Sequence, residues 1–343
     1  MRCSRACGTP GGAKGGQVML AFGPVPSRRL GRSLGINHIP PKVCTYSCLY
    51  CQVGRTSRLR ARRCTFLDAT TVAGAVRNKL EAADGSGEPV DYLTFVPDGE
   101  PTLDAGLGAM IEALRPLGVP IAVVTNGSLL DRADVRDELA AADWVSLKID
   151  TVDEGRWRQV NRPHRRLHLP SILAGMREFS ARFRGRLVTE TMLLAGLNDS
   201  EAGLRATASF IGALKPATAY VAVPTRPPAE PWVKAATPAS VTRAYEVFRA
   251  LAGRAELLVG YEGDAFAATG DPREDLLAIT AVHPMREQAV ARLLKPTGAP
   301  AKVLAELLRR GDLVEVDYGG HHYLLHPTAP RAGSAPIRTG RRE

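Results

Sequence analysis

Val43-Cys44-Thr45-Tyr46-Ser47-Cys48-Leu49-Tyr50-Cys51-Gln52 is the stretch whose reading decides the fold. Three cysteines at this spacing, on a segment too short and polar to be a buried strand, bring three thiolates to three corners of one iron–sulfur cube. The fourth iron then has no protein ligand and is open to a small molecule. The alternative is structural zinc with Cys64 as fourth ligand. Structural zinc prefers four protein ligands, usually in two paired knuckles. Cys64 instead follows the basic run Arg55 to Arg63, with no second knuckle.

Working outward, the run Ser33–Ile39 precedes the cysteines and reads as a strand. Further strands are expected at Asp91–Val96, Pro120–Thr125, Trp144–Ile149, Leu187–Leu194, Thr218–Val223 and Glu256–Gly260. Amphipathic stretches between them predict helices at Ala69–Ala83, Ala105–Leu114, Asp131–Ala141, Pro170–Ala181, Ser200–Leu214 and Pro238–Ala252. Alternating strands and helices imply βα units and a parallel sheet. Six or seven units suit a partial, TIM-like (βα)6 barrel, in which chemistry gathers at the C-terminal ends of strands. The cysteine loop stands at such an end.

Beyond Asp271-Pro272 the pattern changes. Met285–Leu294 and Pro300–Arg310 read as helices, followed by a hairpin turning at Gly319-Gly320. Helix–turn–helix–hairpin resembles a small winged-helix unit. The expected organisation is a disordered tail over 1–21, a barrel over 22–265, a winged-helix-like unit over 271–327 and a disordered tail over 328–343. Met19 offers an alternative start. Cys3 and Cys7 are then without function; the rival reading makes them ligands of a second cluster.

A chain of 343 residues with 45% hydrophobic content can bury a sizeable core. No apolar run approaches the ~20 residues that span a bilayer. The first residues lack a secretory h-region, which points to the cytoplasm, and three clustered cysteines out of six are no disulfide framework. Of the net charge of +10, residues 1–21 supply +3 and residues 328–343 another +3, leaving +4 elsewhere. That weak bias does not by itself establish a nucleic-acid partner.

Other motifs close the expected strands. Val96-Pro97-Asp98-Gly99-Glu100-Pro101 combines a glycine, which permits close backbone approach, with a carboxylate suited to an ammonium group. Thr125-Asn126-Gly127 follows the third strand, Asn126 and Gly127 being able to turn the chain. Ser146, Lys148 and Asp150 alternate and so share one face. In the fifth strand Thr189, Thr191 and Leu193 share one face and Glu190 and Met192 the other, before the loop Gly196-Leu197-Asn198-Asp199. Arg28, Arg29 and Arg32 form a basic cluster, either an anion clamp or a solvated turn. Pro224 to Trp232 reads as a substrate wall or a linker.

Together these motifs resemble the radical S-adenosylmethionine (SAM) superfamily, in particular the prokaryotic group related to wyosine-type tRNA synthetases. The resemblance spans about residues 22–262. It implies a [4Fe-4S] cluster on Cys44, Cys48 and Cys51, whose open iron chelates S-adenosylmethionine. Reductive cleavage then gives a 5′-deoxyadenosyl radical that abstracts hydrogen from a substrate. It places Tyr50, Asp98, Gly99, Glu100, Thr125, Asn126, Glu190 and Asn198 beside that cofactor, and Lys148 and Asp150 as the catalytic pair. Asp98 stands where the related motif Gly-Gly-Glu-Pro has glycine. The wyosine enzymes carry a second cluster on extra N-terminal cysteines, and Cys3 and Cys7 are too close together to resemble that set.

The implied partners are a reductase or a flavodoxin- or ferredoxin-type electron donor and a substrate that is an RNA base or another molecule. A second reading makes the protein an iron–sulfur redox sensor that binds DNA or a protein through the winged-helix-like unit.

Overall fold

The computed structural model describes residues 20–260, 263–264, 266 and 269–327. The expectations for residues 1–19, for Cys3 and Cys7 and for the tail 328–343 lie outside the described residues; the expected N-terminal tail runs to residue 21, but Ala21 already opens a strand. The chain opens with an antiparallel hairpin, β1 (Ala21–Ser27) and β2 (Gly31–Ile36). The cysteine loop follows, with two short paired strands, β3 (Val43–Cys44) and β4 (Arg58–Leu59). Then come α1 (Ala69–Gly85), β5 (Tyr92–Phe95), α2 (Leu107–Leu114), β6 (Ile121–Thr125), α3 (Ala133–Leu139), β7 (Trp144–Lys148), α4 (Glu154–Asn161) and α5 (Leu169–Arg182). The alternation continues through β8 (Arg186–Met192), α6 (Glu201–Ala213), β9 (Thr218–Ala222), α7 (Pro238–Leu251) and β10 (Ala255–Leu258).

One eight-stranded sheet runs β1-β2-β5-β6-β7-β8-β9-β10, parallel throughout except for the first pair. All seven expected strands are present with ends moved by at most three residues. Strands covered on both faces read as continuous apolar, β-branched runs, which is why they were legible. One face packs Leu93, Phe95, Val123, Val145, Leu147 and Val221 against the helices in the main core. The other carries Ala122, Trp144, Val188, Tyr220 and Leu258, joined by Leu30. Side-chain caps start several helices. Asp68, Asp153, Ser200 and Thr237 accept from backbone N–H groups two or three residues into α1, α4, α6 and α7, each cap contributing ~1 kcal/mol.

The C-terminal part is α8 (Pro272–Val282), β11 (Met285–Arg286), α9 (Glu287–Leu293), α10 (Pro300–Arg310), β12 (Val314–Tyr318) and β13 (His321–Leu325), its strands ordered β11-β13-β12. The hairpin turns at Gly319 and Gly320, both with positive φ, as expected. Helix α8 and strand β11 were not foreseen. The Asp271 cap and Pro272 mark the helix start, while the two-residue strand leaves no pattern. This part shares a core with the hairpin: Phe22 and Val25 of β1 pack with Leu276, Ile279, Val290 and Leu324. A buried Asp275 on α8 pairs with Lys79 on α1.

Candidate active site

The cysteine loop leaves the C-terminal end of β2, the end at which ligands bind in parallel α/β sheets. Tyr46 and Leu49 anchor it. Tyr46 packs edge-on to Trp157 at 5.8 Å between centroids, and the loop's N–H groups of Ser47 and Leu49 donate to the carbonyls of Asn161 (3.0 Å) and Val160 (2.9 Å) at the end of α4. Cys44, Cys48 and Cys51 stay partly exposed. Each sulfur faces one side-chain N–H donor. Asn126 Nδ2 lies 3.8 Å from Cys44 Sγ, Asn161 Nδ2 3.5 Å from Cys48 Sγ, and Lys42 Nζ 3.8 Å from Cys51 Sγ.

Burial pushes the Cys44 and Cys48 thiols up, Cys48 to about 12, with Asp150 adding to the effect at Cys48. Thiols so disfavoured as free anions ionise readily only with metal cations beside them. Among the described residues no group of three His, Cys, Asp or Glu side chains converges on a single ion. A four-iron cube asks instead for thiolates at separate corners, and the donor set fits it. Cys64 lies buried in a bridge to Asp104, so the zinc alternative is not assembled at these three sulfurs.

The loop after β5 lies against this one. Val43 bridges Gly99 in parallel, Lys42 N–H donates to Asp98 O (2.9 Å) and Glu100 N–H to Val43 O (3.2 Å). A Cβ on Gly99 would stand 2.1 Å from the Val43 carbonyl oxygen, so only glycine fits. Glu100 is buried and turned into the protein. It accepts from Thr102 N–H (3.0 Å) and Oγ1 (2.6 Å), from Thr125 Oγ1 (2.5 Å) and from Asn126 N–H (2.9 Å). Burial raises its pKa against these four bonds. The Glu100 carboxylate thus locks the loops after β5 and β6 together beside Cys44. Gly127 turns the second of these with φ +66°. Asp98 is buried against Lys42, and burial lifts its carboxyl to about 7 despite that ammonium.

Ser146, Lys148 and Asp150 share a face, and Lys148 is in register with Glu190 across β7 and β8. Sharing that face does not pair Lys148 with Asp150. Lys148 Nζ lies 2.6 Å from Glu190 Oε1 and 4.8 Å from the Tyr50 ring centroid, while Arg29 takes the other Glu190 oxygen. Although burial works against it, Lys148 and Arg29 hold the Glu190 carboxyl down to about 2. Asp150 instead accepts from Tyr50 OH, Asn161 Nδ2 (2.7 Å) and Met192 N–H (2.9 Å). Asn198 donates to the carbonyls of Asp150 (2.9 Å) and Met192 (2.8 Å), which fixes the end of β8. Of the basic cluster, Arg29 serves Glu190 and Arg32 serves Glu88, so two of its three guanidiniums are engaged by the protein's own carboxylates.

Beside Cys51 opens a cavity of about 330 Å3. Ser33, Thr94, Val124, Lys148, Glu190 and Met192 line its sheet side; Val282 and His283 of the C-terminal part and Pro224 to Arg226 close over it. Three contributors were not foreseen: Lys42, Asn161 and Glu230. Glu230 is buried and holds Arg55 through two bonds (2.9 and 2.8 Å) and Arg162 as well, while its N–H donates to Leu49 O (3.1 Å). The segment around it is therefore a strap over the cysteine loop. The cysteine spacing and the motifs at the strand ends were visible in sequence. The side chains of Lys42, Asn161 and Glu230 bond to groups 9 to 175 residues away, and no local pattern marks them.

Residues 39–206 match the radical SAM superfamily. A UPF0026 protein of Methanocaldococcus jannaschii is 42% identical over 310 residues, covering 90% of this chain and 96% of the relative. A UPF0026 protein of Synechocystis sp. is 34% identical over 208 residues, covering 60% of this chain and 76% of that protein. Among solved structures, a radical SAM methyltransferase from Sphaerobacter thermophilus aligns with a TM-score of 0.49 at 17% identity, covering 66% of each chain. The chain belongs to the radical SAM superfamily and, within it, to the UPF0026 family. It is accordingly an enzyme of a superfamily that uses a [4Fe-4S] cluster and S-adenosylmethionine.

Proposed function

We propose that Cys44, Cys48 and Cys51 hold the cluster and that the 330 Å3 cavity beside Cys51 takes the cofactor's reacting end and the substrate. The observation that carries this reading is the set of three loop sulfurs at the C-terminal strand ends, each faced by its own N–H donor. The cofactors, when bound, supply a carbon radical that removes a hydrogen atom from substrate. The protein's part is to hold and shield. Glu100, Thr125 and Asn126 brace the loops behind Cys44. Tyr50, Asp150 and Asn161 brace Cys48. Asn198 keeps the end of β8 in place, and Lys148 and Glu190 offer opposite charges at the cavity wall.

The sheet is read as a partial barrel, and the C-terminal part, with its order α8-β11-α9-α10-β12-β13, as a winged-helix-like unit. That unit contacts the barrel mouth: Gln52 Nε2 donates to Val282 O (3.0 Å), Tyr323 OH to Thr225 O (2.8 Å) and Tyr318 OH to Pro224 O (3.2 Å). Its helix α10 is a poor DNA reader, since Arg310 pairs with Glu306 and Asp312. This contact supports a wall of an enzyme's cavity over the sensor reading.

An RNA base as substrate is supported by the rim of the cysteine loop. Arg58 and Arg62 lie on one flank and Arg165 and Arg166 on the other, exposed and without an ion-pair partner among the described residues. The flanks meet where His164 N–H donates to Thr45 O (2.9 Å). Guanidiniums so placed suit phosphates. The electron donor is taken to be a flavodoxin- or ferredoxin-type protein or a reductase.

The test is anaerobic reconstitution with iron and sulfide, then dithionite and S-adenosylmethionine, with 5′-deoxyadenosine scored by chromatography. The reading expects that product, lost in Cys48→Ala and increased by the true substrate, bulk tRNA being tried first. A stable cluster with no cofactor cleavage would instead support the sensor reading.

A further inference from the structure

Lys42 is an improbable residue for its place. Its φ of +59° belongs to the left-handed region, where glycine and asparagine are the usual occupants. Its side chain is only 3% exposed, and a buried ammonium is costly unless paired. The pair is Asp98, 2% exposed, whose Oδ1 stands 3.3 Å from Lys42 Nζ and has no hydrogen-bond partner among the described residues. The two are also joined through the main chain, Lys42 N–H to Asp98 O, while Asp98 N–H donates to Asn37 Oδ1 (3.0 Å). The aspartate is the one departure from the Gly-Gly-Glu-Pro pattern. It stands where it meets Lys42.

The pair is oriented. Its ammonium end faces Cys51 Sγ at 3.8 Å. Both groups lie out of water, so solvent and salt screen their field weakly. Reduction adds one negative charge to whatever the thiolates hold, and a fixed positive charge beside one of them favours the reduced form. Hydrogen bonds to ligand sulfurs and nearby charge are the levers by which a protein tunes such a centre. We propose that Lys42 raises the reduction potential of the centre held by Cys51, and that Asp98, as its counter-ion, limits that rise. Lys42 is a positioning residue acting through the Cys51 sulfur. The proposal rests on the cluster reading of the three cysteines.

The experiment is an EPR-monitored redox titration of the reconstituted full-length chain, with iron content measured in parallel, for the wild type, Lys42→Met, Lys42→Arg and Asp98→Asn. Lys42→Met is expected to keep wild-type iron content while the ratio of reduced to oxidised cluster at a fixed poise falls about tenfold, or ~59 mV for a one-electron couple. Lys42→Arg returns towards the wild type, and Asp98→Asn moves the opposite way. Full iron with an unmoved potential in both Lys42→Met and Asp98→Asn overturns the proposal and leaves the pair a mere strap. If Lys42→Met takes up no iron, Asp98→Asn decides alone: a raised potential upholds the proposal and an unmoved one overturns it. A wild-type chain that takes up no cluster overturns the cluster reading and this one with it. A wild-type cluster with unmoved variants overturns this one alone.

Discussion

Glu190→Gln removes the carboxylate that stands between Lys148 and Arg29 at the cavity wall. The wild-type carboxyl is lowered from 4.5 to about 2. At 1.36 kcal/mol per tenfold change in acidity, that is about 3 kcal/mol of preference for the ionised form in the folded chain. The Glu190 side chain is 14% exposed, so solvent screens the interaction only in part. Because the folded pKa is the depressed one, this stabilisation is fully present above the unfolded value of 4.5. It is lost as pH falls from there towards about 2. By pH 3.5 the unfolded carboxyl is mostly protonated while the folded one is not, and about 1.4 kcal/mol has gone. The glutamine variant lacks this titration and leaves two cations facing each other across the wall. Urea titrations under anaerobic conditions, wild type against variant, at pH values from 7 to 3.5, are expected to show a gap of about 3 kcal/mol at neutrality that narrows by about 1.4 kcal/mol at the acid end. A gap that stays constant across this range would refute the reasoning, because only the carboxyl's titration can make it pH-dependent. A variant as stable as the wild type at pH 7 would refute it too.

Gly99→Ala places a Cβ 2.1 Å from Val43 O and 2.8 Å from Ile39 Cγ2. The carbonyl belongs to the residue before Cys44, so relief must displace the proposed cluster ligand itself. A loss of about 1–3 kcal/mol in thermal or urea unfolding and a fall in reconstituted iron are expected together, and wild-type values of both would contradict the close-approach argument. Glu230→Gln breaks the strap that joins Arg55 and Arg162 to the cysteine loop. Both guanidiniums are about two-fifths exposed, so the stability cost is about 1 kcal/mol. The clearer readout is iron release to a chelator, expected to run severalfold faster with circular dichroism unchanged. An unaltered release rate would return the segment to a simple linker.

How much was legible follows from what kind of constraint each residue obeys. Strands such as Trp144–Lys148 and Thr218–Ala222 are covered on both faces, so their composition alone betrays them. Strand β1 was missed because Pro24 and Pro26 argue against a strand; at the sheet's edge they withhold donors that no neighbour needs. Helix α4, Glu154–Asn161, buries only Trp157, Val160 and Asn161, too few to show a helical period. In the site, alternation correctly put Lys148 and Asp150 on one face, yet it could not say that register would hand Lys148 to Glu190 and leave Asp150 to Tyr50 and Asn161. Parity along a strand is a local property. Partnership across strands is set by register, which depends on every βα unit between them. The same distinction separates the two roles of the cysteine loop's neighbours. The thiol spacing is written in eight consecutive residues. Of the donors that face the sulfurs, Lys42 stands in the loop itself, while Asn126 and Asn161 come from separate segments that only the folded sheet brings to one place. A chain that kept the three cysteines but lost those donors would still carry the motif, with its sulfurs less well stabilised as thiolates.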